Sequence, residues 1–190
     1  MDLLITGLLL FFAPHMVSVI NPSWRDDTAQ RIGPLGWKAA YSVLSLVGFW
    51  LIIQGYADAR LTADFLYNPP RWMNHVAATL MLPVFILLLA AYLPGRIQSL
   101  TKHPMLIATK LWALSHLLAN GRTSDVILFG CFLIWAVLVR ISIKRRPVRE
   151  VPKLPKTAMN DVIAVVAGLG LYVVFALHLH QMLIGVRPFG

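Results

Sequence analysis

Six long apolar runs, separated by short polar stretches, constrain this fold more than any other feature of the sequence. Each has roughly the 17 to 25 residues with which a helix crosses a bilayer. Apolar residues make up 58% of the chain and charged residues 13%, so lipid is the main solvent of the folded protein. We predict an all-α, polytopic membrane helix bundle of about six transmembrane helices, forming a single domain over residues 1–190. The predicted spans are residues 3–20, 37–56, 72–93, 104–119, 126–143 and 162–184.

The distribution of basic residues predicts the orientation of these spans. With six crossings and an outer N-terminus, thirteen of the seventeen Lys and Arg residues fall on the cytoplasmic side, as the positive-inside rule requires. Both termini then face the outer, periplasmic side. The fourth run is short and polar enough to be a re-entrant helix, but the charge bias favours a full crossing. The outer side keeps Arg60, Arg71, Arg122 and Arg187.

A basic, proline-rich connector, KRRPVREVPKLPK, follows the fifth run at residues 144–156. A lysine or arginine near an anionic leaflet contributes about 1 kcal/mol of attraction. We interpret the segment as a topology determinant and lipid anchor. A nucleic-acid site is not expected, and the net charge of +9 indicates no more specific partner.

Histidines inside the apolar runs are the main functional signal, because ionisable groups within a bilayer are costly and usually functional. His15 shares a helix face with Phe11, Phe12 and Ser18, and Pro14 removes a helix hydrogen bond beside it. A second polar stripe lies on the fourth run. Its members, spaced three or four residues apart, are Thr109, Trp112, His116 and Asn120.

Two roles are open for these histidines. Each can be a neutral imidazole that hydrogen-bonds a neighbouring helix. Alternatively, two imidazoles from different helices can hold a haem iron between them, with Phe11, Phe12 and Trp112 as apolar walls. A zinc site has less support, because the spans offer no carboxylate partner and the single cysteine, Cys131, lies in an apolar run.

Depth along the helices suggests further pairings. His116 lies near the outer end of its span, at the level of His178 or His180, whereas His15 lies deeper and nearer to His103. At about 100° per residue, His178 and His180 point about 200° apart, so they cannot share one role. His178, His180 and His103 are therefore alternative ligands.

A different chemistry is suggested by Lys102-His103-Pro104, which looks like the RHP motif of membrane methyltransferases that bind S-adenosylmethionine. The resemblance ends there, because no Tyr-x-Gly and no later Glu pair follow. The simpler interpretation is that His103 and Pro104 begin a helix, since proline suits the first turn.

The whole chain resembles the NnrU family of bacterial membrane proteins. The resemblance is strongest in KHPMLIATKLWALSHLLANG, ILFGCFLIWAVLVR and LIGVRPFG. It implies a multi-pass protein of the bacterial inner membrane with a role in nitrite and nitric oxide metabolism, that is, in denitrification. A plant relative is zeta-carotene isomerase, a haem b enzyme that isomerises a carotenoid double bond from cis to trans by a redox-dependent change of haem ligands.

Carried over by motif, the resemblance implies haem b as cofactor, with His15 and His116 as the axial ligands of its iron. The plant motif has a cysteine where this chain has Ala113, so a cysteine-for-histidine ligand exchange is not available here. No catalytic residue can be named.

Three function classes follow. The first is a haem-binding membrane protein, either an accessory factor for nitrogen-oxide respiration or a cis–trans isomerase of an apolar polyene. The second is a methyltransferase, and the third a structural membrane subunit. Expected partners are the lipid bilayer, an apolar small molecule or a diatomic gas, and an electron donor or a second copy of the chain. Asp58, Asp64 and Asp125 lie at helix ends and are interpreted as turn and capping residues.

Overall fold

A computed structural model describes residues 1–146 and 153–188 of the chain. Most of these residues are helical and none of them lies in a named strand, which confirms the predicted all-α class. The helices are α1 (Asp2–Ile20), α2 (Pro22–Arg31), α3 (Gly33–Thr62), α4 (Met73–Ala90), α5 (Arg96–Thr101), α6 (Pro104–Ala119), α7 (Thr123–Ile143) and α8 (Asn160–Val174), followed by a π-helical turn (Phe175–Leu179) and α9 (His180–Ile184).

Within the described residues, five helical segments are long and apolar enough to cross a membrane. They are α1, α3, α4, α7 and the continuous segment Asn160–Ile184. α6 begins and ends at the predicted residues, but its 16 residues span only about 24 Å, less than the roughly 30 Å hydrocarbon core. The protein is therefore of the multi-pass membrane type, while a sixth crossing and the sides of the termini stay predictions.

The sequence patterns predicted neither α2 nor α5, and the span that they predicted for α3 was too short. α3 has 30 residues and begins directly after α2, where the predicted span covered only 37–56. Part of the basic connector, residues 147–152, lies outside the described residues.

The described chain forms two compact units. The first unit comprises Met1–Leu66 and Arg122–Arg145 and contains α1, α2, α3 and α7. The second unit comprises Tyr67–Gly121 and the described residues from Arg146 onward, and contains the remaining helices.

Glycines bring α1 and α3 into close contact in the first unit. Gly48 and Gly55 lie seven residues apart on the buried face of α3. A Cβ on Gly48 would lie 2.5 Å from the backbone nitrogen of Phe11, and one on Gly55 would collide with the backbone of Leu4. Close backbone approach at small residues is how membrane helices gain packing energy in the absence of a hydrophobic driving force.

A buried carboxylate fixes the start of α7 in the same unit. Asp125 is 4% exposed, accepts a 2.8 Å hydrogen bond from the Tyr56 hydroxyl and accepts a 3.0 Å bond from the backbone N–H of Arg122. The Arg122 guanidinium donates to the carbonyl of Ala63 and lies over the ring of Phe65. The capping role predicted for Asp125 is confirmed.

In the second unit, the start of α8 holds the start of α5. The Asp161 carboxylate accepts hydrogen bonds from the backbone N–H groups of Arg96 (2.7 Å) and Ile97 (3.0 Å). The neighbouring Asn160 amide donates to the carbonyl of Pro94 at 2.9 Å. Gly95 is required at this junction, because a Cβ there would lie 2.7 Å from the Asp161 carboxyl carbon.

Replacing Gly55 with alanine is expected to destabilise the first unit by about 1 to 3 kcal/mol, the usual cost of overpacking, because α1 must move away from α3. Thermal unfolding in detergent measures this. The matched control is Gly130→Ala in α7, where a Cβ meets nothing within 4 Å. Equal unfolding temperatures for the two variants would show that the contact at Gly55 contributes no packing energy.

Candidate functional site

His116 is held in one orientation by its own helix. Its Nδ1 lies 2.8 Å from the carbonyl oxygen of Trp112, one turn earlier in α6. A carbonyl oxygen only accepts, so Nδ1 carries the proton and Nε2 carries the lone pair. The Trp112 ring lies 5.4 Å from the imidazole, centroid to centroid. This tautomer is the one in which histidine binds a metal through Nε2.

His180 has the same tautomer through a different local structure. The π-helical turn places Phe175, five residues earlier, beside it with ring centroids 5.9 Å apart. Its Nδ1 lies 2.7 Å from the carbonyl oxygen of Val186. That carbonyl can return to the imidazole because Gly185 adopts a left-handed conformation (φ +78°) and ends α9. Inserted π turns are frequent at functional sites.

The two imidazoles face each other within the second unit. The ring centroids of His116 and His180 are 6.5 Å apart, and the ring planes are 22° from parallel. The two rings are thus stacked on one another. Because an imidazole binds a metal through a lone pair in the plane of its ring, a metal ion shared by these two side chains would require both rings to turn from this arrangement.

His15 lies in the first unit, inside a group of aromatic side chains. Its Nδ1 lies 2.6 Å from the carbonyl oxygen of Phe11, and the two rings stack at 4.2 Å. Tyr41 and Trp135 approach the imidazole at 4.9 and 5.7 Å between centroids. The indole N–H of Trp135 is buried and has no hydrogen-bond partner among the described residues.

A scan against family models matches the model described as "NnrU protein" over residues 3–188. The chain belongs to the NnrU family. Searches of curated proteins and of solved structures found no match. The predicted family resemblance is thus confirmed for almost the whole chain, including the histidine-bearing segments of both units.

In this NnrU family member, the predicted site residues are divided between the two units. Phe11 and Phe12 lie beside His15 in the first unit, with ring centroids 4.2 and 6.5 Å from its imidazole. Trp112 lies beside His116 in the second. The pairing of His15 with His116 stays a prediction. From depth along the helices, His116 was expected at the level of His178 or His180, and its imidazole does contact that of His180.

The alternative histidines differ in their surroundings. His178 is exposed, and His103 immediately precedes the first residue of α6, Pro104, as the simpler interpretation of this motif predicts. Within residues 1–146 and 153–188, no three His, Cys, Asp or Glu side chains are grouped closely enough to hold a metal ion together. A haem iron needs only two protein ligands, because the porphyrin supplies four nitrogens.

Three aromatic neighbours of the histidines were not predicted from the sequence: Tyr41, Trp135 and Phe175. One signal was present in the sequence. An aromatic residue stands four positions before His15 and before His116, and in both cases its carbonyl accepts the imidazole proton. Phe175 stands five positions before His180, a spacing that brings two side chains together only in a π turn.

We expect His15, His116 and His180 to carry their proton on Nδ1 at neutral pH, because each Nδ1 donates to a carbonyl. Nitrogen-15 NMR of histidine-labelled protein distinguishes the two tautomers, and single His→Gln variants assign the signals. The exposed His75 and His178 are the internal controls. An Nε2–H signal from any of the three would contradict the hydrogen bonds described above.

Proposed function

We propose that this NnrU family protein binds haem b in the membrane, with His116 and His180 as axial ligands. The observation that carries the proposal is the proximity of two imidazoles from different helices, whose ring centroids are 6.5 Å apart, so that rotation of the two rings would bring both Nε2 atoms to one iron. Bis-histidine ligation needs two neutral imidazoles whose Nε2 lone pairs can reach one iron. The hydrogen bonds of both Nδ1 atoms favour that protonation state.

The surrounding residues fit a porphyrin. Trp112 and Phe175 place aromatic rings within 6 Å of the two imidazoles, and Phe85 continues this apolar wall at 5.5 Å from Phe175. Backbone carbonyls on Nδ1 fix the direction of a ligand imidazole and raise the basicity of its other nitrogen. When bound, haem supplies one-electron redox chemistry and a position for a diatomic ligand such as nitric oxide.

The two proposed ligands are held with unequal strength. His116 lies in the sixteen-residue α6, which packs against α4 around Val84, Leu87 and Ala108. His180 begins a five-residue helix after a π turn, and its Nδ1 bond is to the exposed C-terminal segment. His116 would therefore hold the haem more firmly than His180, and the iron would supply a binding position for a diatomic molecule.

The family resemblance implies His15 as the second ligand. The experiment below determines whether His15 or His180 takes this role. His15 lies in the other unit, within its own aromatic group. Its local geometry is equally suited to ligation, because the Nδ1 proton is donated to Phe11 in the same way.

We favour a role in nitrite and nitric oxide metabolism over cis–trans isomerisation of an apolar polyene. The isomerase mechanism implied by the resemblance exchanges a cysteine for a histidine. Ala113 stands at the corresponding position and is fully buried, so no thiol is supplied there. Nitric oxide binding to a haem held by histidines would need no such thiol. Helix initiation at Pro104 accounts for the Lys102-His103-Pro104 motif without a methyl donor.

The test is absorption spectroscopy of the detergent-purified protein, expressed with a haem precursor and compared with His116→Ala, His180→Ala and His15→Ala. We expect a Soret band that shifts on reduction, and haem affinity at least about 10-fold lower in the His116 and His180 variants, as loss of a metal's ligand or its support typically costs. His178→Ala, two residues away and exposed, is the matched control and should keep the band.

Each outcome is decisive for one part of the proposal. If His15→Ala loses haem and His180→Ala retains it, the second haem ligand is His15 and not His180. A colourless wild-type protein would overturn haem binding, and retention of labelled S-adenosylmethionine by such a protein would favour the methyltransferase class. Failure of the reduced, coloured protein to bind nitric oxide would leave haem binding intact and exclude the diatomic-ligand role.

A further inference from the structure

A cavity of about 550 Å³, lined by both polar and apolar atoms, lies in the first unit, apart from the histidines. α2 connects the end of α1 to the start of α3, both of which are long enough to span the membrane. A ten-residue polar helix between two such spans must lie at the membrane surface. The polar and aromatic side chains that line the cavity are Arg25, Asp26, Gln30, Trp37 and Lys38.

Charges of both signs line this cavity. Arg25 donates a 3.0 Å hydrogen bond to the Asp26 carboxylate, and its guanidinium also lies 5.1 Å from the ring centroid of Trp37. A guanidinium has five N–H donors, so Arg25 can bind an anion while it keeps the bond to Asp26. Lys38 adds a second cation from α3. The lining is therefore complementary to a molecule that carries both a phosphate and an ammonium group.

Apolar side chains border the same turn. Ile32 is 51% exposed and Leu35 is 81% exposed, on either side of the lining residue Pro34. Trp24 packs edge-on against Trp37 at 6.4 Å, and paired tryptophans of this kind are typical of the headgroup level of a bilayer. At the membrane surface these two side chains lie against the acyl chains of the bilayer, so a lipid can reach the cavity directly from the membrane.

From this arrangement we propose that the α2–α3 cavity binds the headgroup of a zwitterionic aminophospholipid. The phosphate lies between Arg25 and Lys38, and the ammonium group is bound by Asp26. The acyl chains extend along Ile32 and Leu35. A lipid held in this way fixes the depth of α2 and the start of α3 in the membrane surface, independently of any haem.

The test is native mass spectrometry of the full chain in detergent, titrated with phosphatidylethanolamine and phosphatidylglycerol of identical acyl chains and with phosphoethanolamine, which has no acyl chains. We expect the wild-type protein to retain phosphatidylethanolamine best. Arg25→Gln should lower the affinity for both lipids by about tenfold, which corresponds to the free energy of one charge-assisted hydrogen bond. Asp26→Asn should keep phosphatidylglycerol binding and lose the preference for phosphatidylethanolamine.

Arg31→Gln is the matched control, because Arg31 is a cation of α2 that does not line the cavity. Retained phosphatidylglycerol binding in Asp26→Asn also shows that the variant is folded. Equal lipid retention by Arg25→Gln and Arg31→Gln would overturn the site. A wild-type preference for phosphatidylglycerol would overturn the zwitterionic assignment, and binding of phosphoethanolamine as tight as that of the lipid would identify a soluble phosphate compound instead.

Discussion

The bilayer offers no water to hydrogen-bond polar groups, so an imidazole inside a span must take its hydrogen-bond partner from the chain. His15, His116 and His180 meet this requirement in one way, by donation from Nδ1 to a backbone carbonyl. The same requirement fixes the second ring nitrogen, because only one tautomer satisfies the carbonyl. The ring nitrogen that carries each lone pair is thus set by these hydrogen bonds.

Close helix packing determines where those carbonyls lie. Gly48 of α3 approaches the backbone of Phe11, the residue whose carbonyl accepts the His15 proton. In the second unit, Gly168 of α8 approaches the backbone of Ile86, and α8 continues directly into the π turn that carries His180. The glycine contacts and the imidazole positions are therefore coupled, since a larger residue at either glycine would displace the helix that supports a histidine.

Hydropathy predicted the long helices because apolar content is a local property of each segment. α6 was predicted to the residue, since Pro104 and Asn120 mark its ends. α5 was not, because RIQSLT has no apolar period and its first N–H groups are capped by Asp161, 65 positions away from Arg96. α2 was missed for its polar composition, although Asn21 before Pro22 is a recognisable helix start.

The histidine neighbourhoods were predictable only where the helix is regular. The spacing of Trp112 and His116 gave their shared face correctly, because α6 keeps 3.6 residues per turn. Near His180 the π turn shifts the period, so Phe175 could not be identified as its neighbour from helical spacing. The contact of His116 with His180 depends on how α6 and the last helices pack. The depth of each residue along its helix only restricts the neighbour of His116 to position 178 or 180.

Ligand exchange in this protein, if haem is bound as proposed, must follow from how firmly each imidazole is held. A ligand imidazole uses a lone pair in the plane of its ring, so the stacking of Phe11 on His15 orients that ring without blocking its Nε2. His116 is similarly fixed, from the last turn of the packed helix α6. His180 alone depends on a left-handed glycine and on a carbonyl of an exposed segment. The residues that position His180 thus lie in the π turn and in the segment that follows it up to Val186, and haem bound as proposed would be held less firmly from this side.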